Sequence, residues 1–294
     1  MNVTVVPLLT VCSFCIASCN YIDPTVSTPT YSNTIVVECS ADEKPAQWHI
    51  DVYDDLGMRP YNSYDGKLSV EGSIYALLAY NTNIEKVRIK EQEESGNMIA
   101  TTDAIGNGLT FNGQPVVNMP DMLYSAFIED YFAGNVETIE VEAQPRVFVY
   151  NIEIEITDSA NIVSGCRSAM VDGLSEYVDL MTLLRSSSTV AMEVPMQLNG
   201  GKASDGTKTA LGTLTTFGLP TAMASRRACR LTLRLVDGNG SVTSTAIDIT
   251  DKIAENMQGG EITLSVDAGN IMSINGDIGT TIENRNEENI HIRL

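Results

Sequence analysis

Apolar and polar residues alternate with a period of two along most of the chain, the spacing of strands that bury one face. The stretch "RVFVYNIEIEIT", residues 146–157, puts Phe148, Tyr150, Ile152, Ile154 and Ile156 on one side and Val147, Val149, Asn151, Glu153 and Glu155 on the other. One side is apolar and the other largely polar, as in an antiparallel sheet with one face to water. The same pattern predicts strands over 34–39, 46–53, 73–81, 85–90 and 137–142 in the first half. In the second half it predicts them over 189–196, 209–217, 229–236, 242–249 and 261–267. A break falls at Gln144-Pro145, because proline cannot donate to a ladder and holds the preceding residue extended. Helix is scarce. The stretch "TDKIAENMQGG", residues 250–260, offers a Thr/Asp start, apolar residues four apart at Ile253 and Met257, and a Gly-Gly stop. Short strands separated by turn signals predict an all-β protein of β-sandwiches, with one short helix late in the chain.

The N-terminal 33 residues break this pattern. Val3 to Ser18 is apolar or small, too short to span a hydrocarbon layer of ~30 Å, and leads into Ile16-Ala17-Ser18-Cys19. That tetrapeptide resembles the lipobox of bacterial lipoprotein signal peptides. The resemblance implies a signal peptide over residues 1–18 and a lipidated Cys19 as the mature N-terminus, with Cys12 and Cys15 removed. Several acyl chains on one cysteine give stable anchoring. Met1-Asn2 departs from the pattern, since it carries no Lys or Arg. An apolar first strand of a cytosolic protein is the alternative. A zinc or redox site at Cys12 and Cys15 lacks the second Cys/His pair, and the strand-to-helix turn, that such sites use. Residues 20–33, "NYIDPTVSTPTYSN", read as a flexible tether.

Charge narrows the partners. The chain carries 38 acidic and 18 basic residues, a formal net charge of −20, all of it beyond Cys19. Such a surface repels nucleic acid and anionic headgroups, so neither is an expected partner. The residues after Cys19 suffice for two cores of ~130 residues each. The expected division is a domain over 34–143, a second over 144–268 and a tail over 269–294. Cys39, Cys166 and Cys229 are odd in number and widely spaced, which suits small buried hydrophobes rather than a disulfide framework.

Several short motifs carry a family resemblance: "PDMLY" at 120–124, "QPRVFVYNIEIEI" at 144–156, "SAMVDG" at 168–173, "LGTLTTFG" at 211–218 and "LVDGNG…IDITDKI" from 235 to 253. In sequence and order they resemble lipoproteins of Bacteroidales related to the fimbrillin-associated anchor proteins. The resemblance implies two tandem transthyretin-like antiparallel β-sandwich domains on a lipidated N-terminus at the outer membrane, exposed on the surface. It also implies a structural anchor or assembly role in fimbriae and cell adhesion, with fimbrial subunits as partners.

Catalytic signals are weak. The chain lacks the nucleophile elbow, the P-loop and the H-E-x-x-H helix. Of its two histidines, His291 stands four residues from the end of the sequence. His49, in "QWHIDVY", shares the polar side with Asp51 and reads as half of a solvated pair on an outer sheet face. Asp54-Asp55 and Glu91, Glu93 and Glu94 read as solvated acidic loops. Asp237-Gly238-Asn239-Gly240 reads as a hairpin turn, because Ser241 and Val242 break a calcium loop. No catalytic residue, metal or cofactor is expected. The rival function is a surface lipoprotein that binds glycans, for which an exposed aromatic is the usual platform. Trp48 falls on the apolar side of its strand, leaving Tyr61 and Tyr64 in a turn-rich stretch, with Tyr124, Tyr131 and Phe132 further on. Finally, Ile290, Ile292 and Leu294 alternate with His291 and Arg293. That strand would pair within its own sheet or exchange with a partner's edge.

Overall fold

The structure, a computed structural model, describes residues 30–269 apart from 40–44, 46, 55–60, 65–66, 72–73, 94, 107, 133–137, 159, 200–205 and 222–227. The first half runs through β1 (Thr30–Cys39), β2 (Trp48–Tyr53), β3 (Tyr61–Ser63), β4 (Lys67–Glu71), β5 (Ile74–Asn81), β6 (Val87–Glu91), β7 (Met98–Thr102), β8 (Thr110–Phe111), β9 (Gln114–Val117), β10 (Tyr124–Phe132) and β11 (Thr138–Pro145). The second runs through β12 (Phe148–Thr157), β13 (Val163–Ser175), β14 (Tyr177–Asp179), β15 (Thr189–Asn199), β16 (Thr207–Thr216), β17 (Arg230–Asp237), β18 (Val242–Asp248), the helix α1 (Thr250–Glu255) and β19 (Gly260–Asp267).

These strands make two large curled sheets, β3-β2-β5-β10-β11-β1-β4 and β18-β17-β13-β15-β16-β12-β19, and a small one, β14-β7-β6. The protein is all-β, with two tandem β domains and one short helix late in the second. Each large sheet wraps its own core. Ile35, Ile50, Val52, Leu77 and Val141 cluster in the first, and Tyr150, Ile152, Ile154, Leu214 and Leu233 in the second. In β12 the burial alternates as the sequence predicts, with Ile152, Ile154 and Ile156 buried and Glu153 and Glu155 exposed.

The expectation of antiparallel sheets needs one refinement. Most pairings are antiparallel, but β1 pairs with β11 in parallel, as does β12 with β19 and β9 with β15. In each half the first and last strands lie side by side, so the intervening strands serve as the long crossover that a parallel pair requires. The chain leaves β11 at Pro145 and enters β12 at Phe148 through a bend at Arg146-Val147. Arg146 fastens that bend, its N–H donating to Leu123 O and its guanidinium to Ser125 Oγ and O at 2.7 and 2.8 Å.

The halves also share structure. Strand β14 pairs with β7, while β9 adds to β15. The β8–β9 hairpin turns on Asn112-Gly113, both at positive φ, the two-residue turn that asparagine and glycine favour. It lays Val116, Leu109 and Phe111 against Met170 and Ala191, covering the second face of β13 and β15. Polar contacts complete the seat. Asn112 Nδ2 donates to Asp172 Oδ2 at 2.5 Å, Gln114 Oε1 accepts from Gly173 N at 2.9 Å, and Arg230 Nε lies 3.6 Å from Asp172 Oδ1.

Helix α1 sits between β18 and β19 as predicted, but its N-cap is Ile249 with no side-chain cap, and Thr250 is its first helical residue. Of the expected apolar pair, Ile253 is buried in the second core, while Met257 lies beyond the helix end and is exposed. The stop is steric. Gly259 has φ +91, and a Cβ there would stand 2.5 Å from Val149 O. The turn at 237–241 is a hairpin turn tied by Asp237 Oδ1, which accepts from Asn239 N and Ser241 N. Cys39 and Cys229 are buried and Cys166 half-buried, all three free. Burial pushes the Cys166 thiol up to about 11, which keeps it protonated and inert.

Gly173 is where backbone geometry and docking meet. It has φ +84 in an irregular step of β13, and a Cβ there would lie 2.7 Å from Ala228 O. Gly173→Ala should therefore destabilise the protein by about 2 kcal/mol or more in urea unfolding. Gly238→Ala, which meets nothing within 4 Å, should stay within about 0.5 kcal/mol of the parent. Equal midpoints for the two variants would refute this account of the bulge.

Candidate functional site

His49 and Asp51 are the first chemical candidates, and the structure corrects the expectation of a solvated pair. His49 Nε2 lies 2.7 Å from Asp51 Oδ1, with His49 7% exposed and Asp51 0%. Both faces of β2 are covered. Opposite the pair in β5 stand Tyr80 and Leu78, whose side chains join Tyr53, Val87, Met98, Val178 and Leu180 in a cluster shared by the two halves. The small sheet lies over this face of the first large one, so a polar side that would meet water in an isolated sheet meets protein instead. Two rings complete the enclosure, Tyr64 at 4.5 Å from the His49 ring and edge-on, and Tyr80 at 4.9 Å. The two side chains form a buried hydrogen-bonded pair within β2. Among the described residues no group of three or more His, Cys, Asp or Glu side chains is placed to hold a metal ion.

The aromatic candidates scatter. Tyr64 keeps 69% of its surface exposed, with one ring edge on His49. Tyr61 stands opposite Val52 in the β2–β3 pairing. Trp48 and Tyr124 are half-buried and pack against the first core. Tyr131 and Phe132 lie in β10 opposite Tyr75 and Ile74. Cys19, His291, Ile290, Ile292 and Leu294 lie outside the described residues.

A groove of about 540 Å³ runs across the outer face of the second sheet. It is built by register. Asn151 lies between Thr213 and Glu261, Glu153 lies between Leu211 and Thr263, and Gln197 continues the Leu211 row on β15. Met119, from the segment after β9, walls the groove. The lining offers carboxylates, amides and hydroxyls, includes no cation, and has an exposed apolar spot at Leu211. Such a surface accepts hydrogen bonds from polyhydroxyl ligands and disfavours anions. The polar half of "NIEIEI" is the sequence signal for it, but alternation alone reads as a plain water-facing side. Besides the groove, four strands end the two large sheets, β3 and β4 in the first and β18 and β19 in the second. A sheet edge offers free backbone groups for strand addition.

Comparison with known proteins agrees with this architecture. Residues 57–198 match the model of a domain of unknown function, DUF5119, a span that crosses from the first curled sheet into the second. A candidate adhesin from Bacteroides ovatus superposes with a TM-score of 0.58 at 22% identity, covering 89% of this chain and 98% of that one. A candidate adhesin from Bacteroides thetaiotaomicron gives 0.56 at 11% identity, over 82% and 93%. From the same species, a candidate polysaccharide-binding protein gives 0.52 at 12% identity, over 80% and 90%. No curated protein matches in sequence. The chain thus has the fold of these Bacteroides proteins.

The dyad makes a stability prediction. Asp51→Ala would strand a buried imidazole without its acceptor and should cost about 2–3 kcal/mol in urea unfolding. Tyr64→Ala removes a mostly exposed ring and should cost under about 1 kcal/mol. A reversed order would mean that the ring, not the hydrogen bond, holds this corner.

Proposed function

We propose that the protein is a non-enzymatic lipoprotein of the outer-membrane surface that anchors or helps assemble fimbriae. The reading is carried by one observation, the near full-length likeness of both curled sheets to a candidate adhesin. Support comes from the motifs shared with fimbrillin-associated anchor lipoproteins and from the lipobox-like Ile16-Ala17-Ser18-Cys19. In this proposal Cys19 bears the acyl chains and the domains occupy 34–143 and 144–268, with Thr30–Asn33 added to the first because they already pair with β4 in β1, so the tether expected over 20–33 shortens to 20–29. The alternating Ile290, Ile292 and Leu294 supply a strand to the protein's own sheet or to a fimbrial subunit.

Glycan binding is the second reading, favoured by the polar groove on the second sheet and by the exposed ring of Tyr64. The candidate polysaccharide-binding protein of Bacteroides thetaiotaomicron has the same fold.

Cys19→Ala should abolish incorporation of labelled fatty acid and leave unprocessed precursor, whereas Cys12→Ala and Cys15→Ala should change neither. Normal acylation of the Cys19 variant would remove the anchor from the proposal. Pull-down with the anchored protein should recover surface fimbriae, and deletion of 287–294 should reduce recovery if that segment is donated. A glycan array probed with the form lacking residues 1–19 addresses the rival. Strong binding to a neutral glycan without fimbrial recovery would reverse the order of the two readings.

A further inference from the structure

Among the described residues Arg185 has no ion-pair partner, in a chain of net charge −20. Arg88, Lys208 and Arg230 each lie within 3.6 Å of a carboxylate, on Asp103, Asp158 and Asp172 respectively. The Arg185 guanidinium makes no hydrogen bond or ion pair with any described residue. It lies over the Phe148 ring, 5.0 Å from the centroid, and beside Gly218, where a Cβ would approach its Nε and Cζ to 3.3 Å. A pocket of about 130 Å³ opens between it, Tyr150, Pro220, Ile253 and Met257. The Tyr150 hydroxyl is engaged with the backbone, donating to Asn256 O at 2.9 Å. A second guanidinium, Arg146, is close enough for repulsion from Arg185 to add to burial in holding its pKa below the usual arginine range. Arg146 is occupied with Ser125, so Arg185 is the free one of the two.

Three exposed apolar residues belong to the pocket lining or directly precede Arg185 in the chain. Leu183 and Leu184, directly before Arg185, are 46% and 54% exposed, and Met257, on the pocket wall, is 58% exposed. The loop that presents the leucines is fully tied. Asp179 Oδ1 accepts from Met181 N and Thr182 N, its Oδ2 accepts from Asn97 Nδ2, and its backbone bonds to Leu183 N and Leu184 O. Arg185 N donates to Thr221 Oγ1 at 2.8 Å. Leu183 sits at φ +63, a left-handed conformation that a leucine adopts only under constraint. A strained, hydrogen-bonded turn that exposes two leucines directly before Arg185 in the chain has the composition of a binding hot spot.

We propose that the Arg185 pocket receives a segment of a partner polypeptide in which a carboxylate stands next to a large apolar side chain. Guanidinium pairs with carboxylate through two parallel hydrogen bonds, and the half-buried setting strengthens that pair over an exposed one. Leu183, Leu184 and Met257 would cover the neighbouring apolar group. An acidic sugar could use the charge but not these apolar side chains, which is why the occupant is a peptide. The inference shares with the proposed function only that the partner is a protein, and needs neither fimbria nor lipid.

The probe is N-acetyl-leucine, titrated into the full chain with the methyl groups of Leu183, Leu184 and Met257 observed by NMR. Saturable shifts at these methyls are expected, with binding at least tenfold weaker for N-acetyl-leucinamide, for glucuronate and for the Arg185→Gln protein. Leu184→Ser, which leaves the cation in place, should weaken binding several-fold and serves if Arg185→Gln does not fold. Absence of saturable shifts, or equal binding of the amide, would overturn the proposal. Equal binding of glucuronate would replace the peptide with an acidic sugar. Because no fimbria enters the titration, a negative result here leaves the fimbrial reading standing, and failed fimbrial recovery leaves this one standing.

Discussion

Tyr53, Leu78 and Tyr80 from the first curled sheet, Met98 and Ala100 from the small one, and Val147, Val178, Leu180 and Phe217 from the second half pack into one apolar cluster. Neither large sheet can bury that surface alone, because each already spends its concave face on its own core. Joining the halves removes it from water, and much else follows from the joining. It puts β14 beside β7, brings the β8–β9 hairpin onto β15, and gives β13 protein on both sides. The irregular step at Asp172-Gly173 is tolerated there because the hairpin supplies Asn112 and Gln114 to its polar groups. A buried carboxylate without such partners would be costly.

The same two-sided burial explains what the sequence reveals and what it hides. Strand β12 is legible because water touches one of its faces, so Ile152, Ile154 and Ile156 alternate with glutamates. From Ser168 to Ser175 the longest strand, β13, is buried at every position, which erases the period of two. Strand β7 is buried throughout and leaves no alternation either. His49 and Asp51 were legible as neighbours on one side of a strand, but their burial depends on Tyr64, Tyr80 and a layer contributed by distant segments. The groove on the second sheet and the surroundings of Arg185 are likewise assembled from four or more separate stretches. Local pattern carries no record of such meetings. The short helix was readable in place from local signals, chiefly Gly259-Gly260 after it, although Thr250 starts the helix without capping it.

Charge is arranged against this frame unevenly. Glutamates line outer faces, as at Glu38 and Glu142, which stand directly opposite one another in β1 and β11, while Asp51, Asp158 and Asp172 are buried with partners. The basic side chains Arg146 and Arg185 instead collect where the halves meet, half-buried among aromatic and aliphatic groups. A protein with so strong a negative field repels acidic partners at long range, so an anionic contact at the join has to be made at short range. Selectivity there comes from fit more than from steering.

The side-by-side pairing of first and last strands has a mechanical meaning for any protein held at one end and loaded at the other. Strands β1 and β11 run the same way over six residue pairs, from Thr34↔Thr138 to Cys39↔Ala143, and β12 and β19 over eight. Tension applied at the start of β1 and the end of β11 slides the two strands past each other, loading all the rungs between them together. Peeling apart a hairpin breaks rungs one at a time and yields at low force. Each half is thus closed by a shear clamp, and resistance to extension is set by how fast a whole ladder ruptures rather than by its weakest single bond.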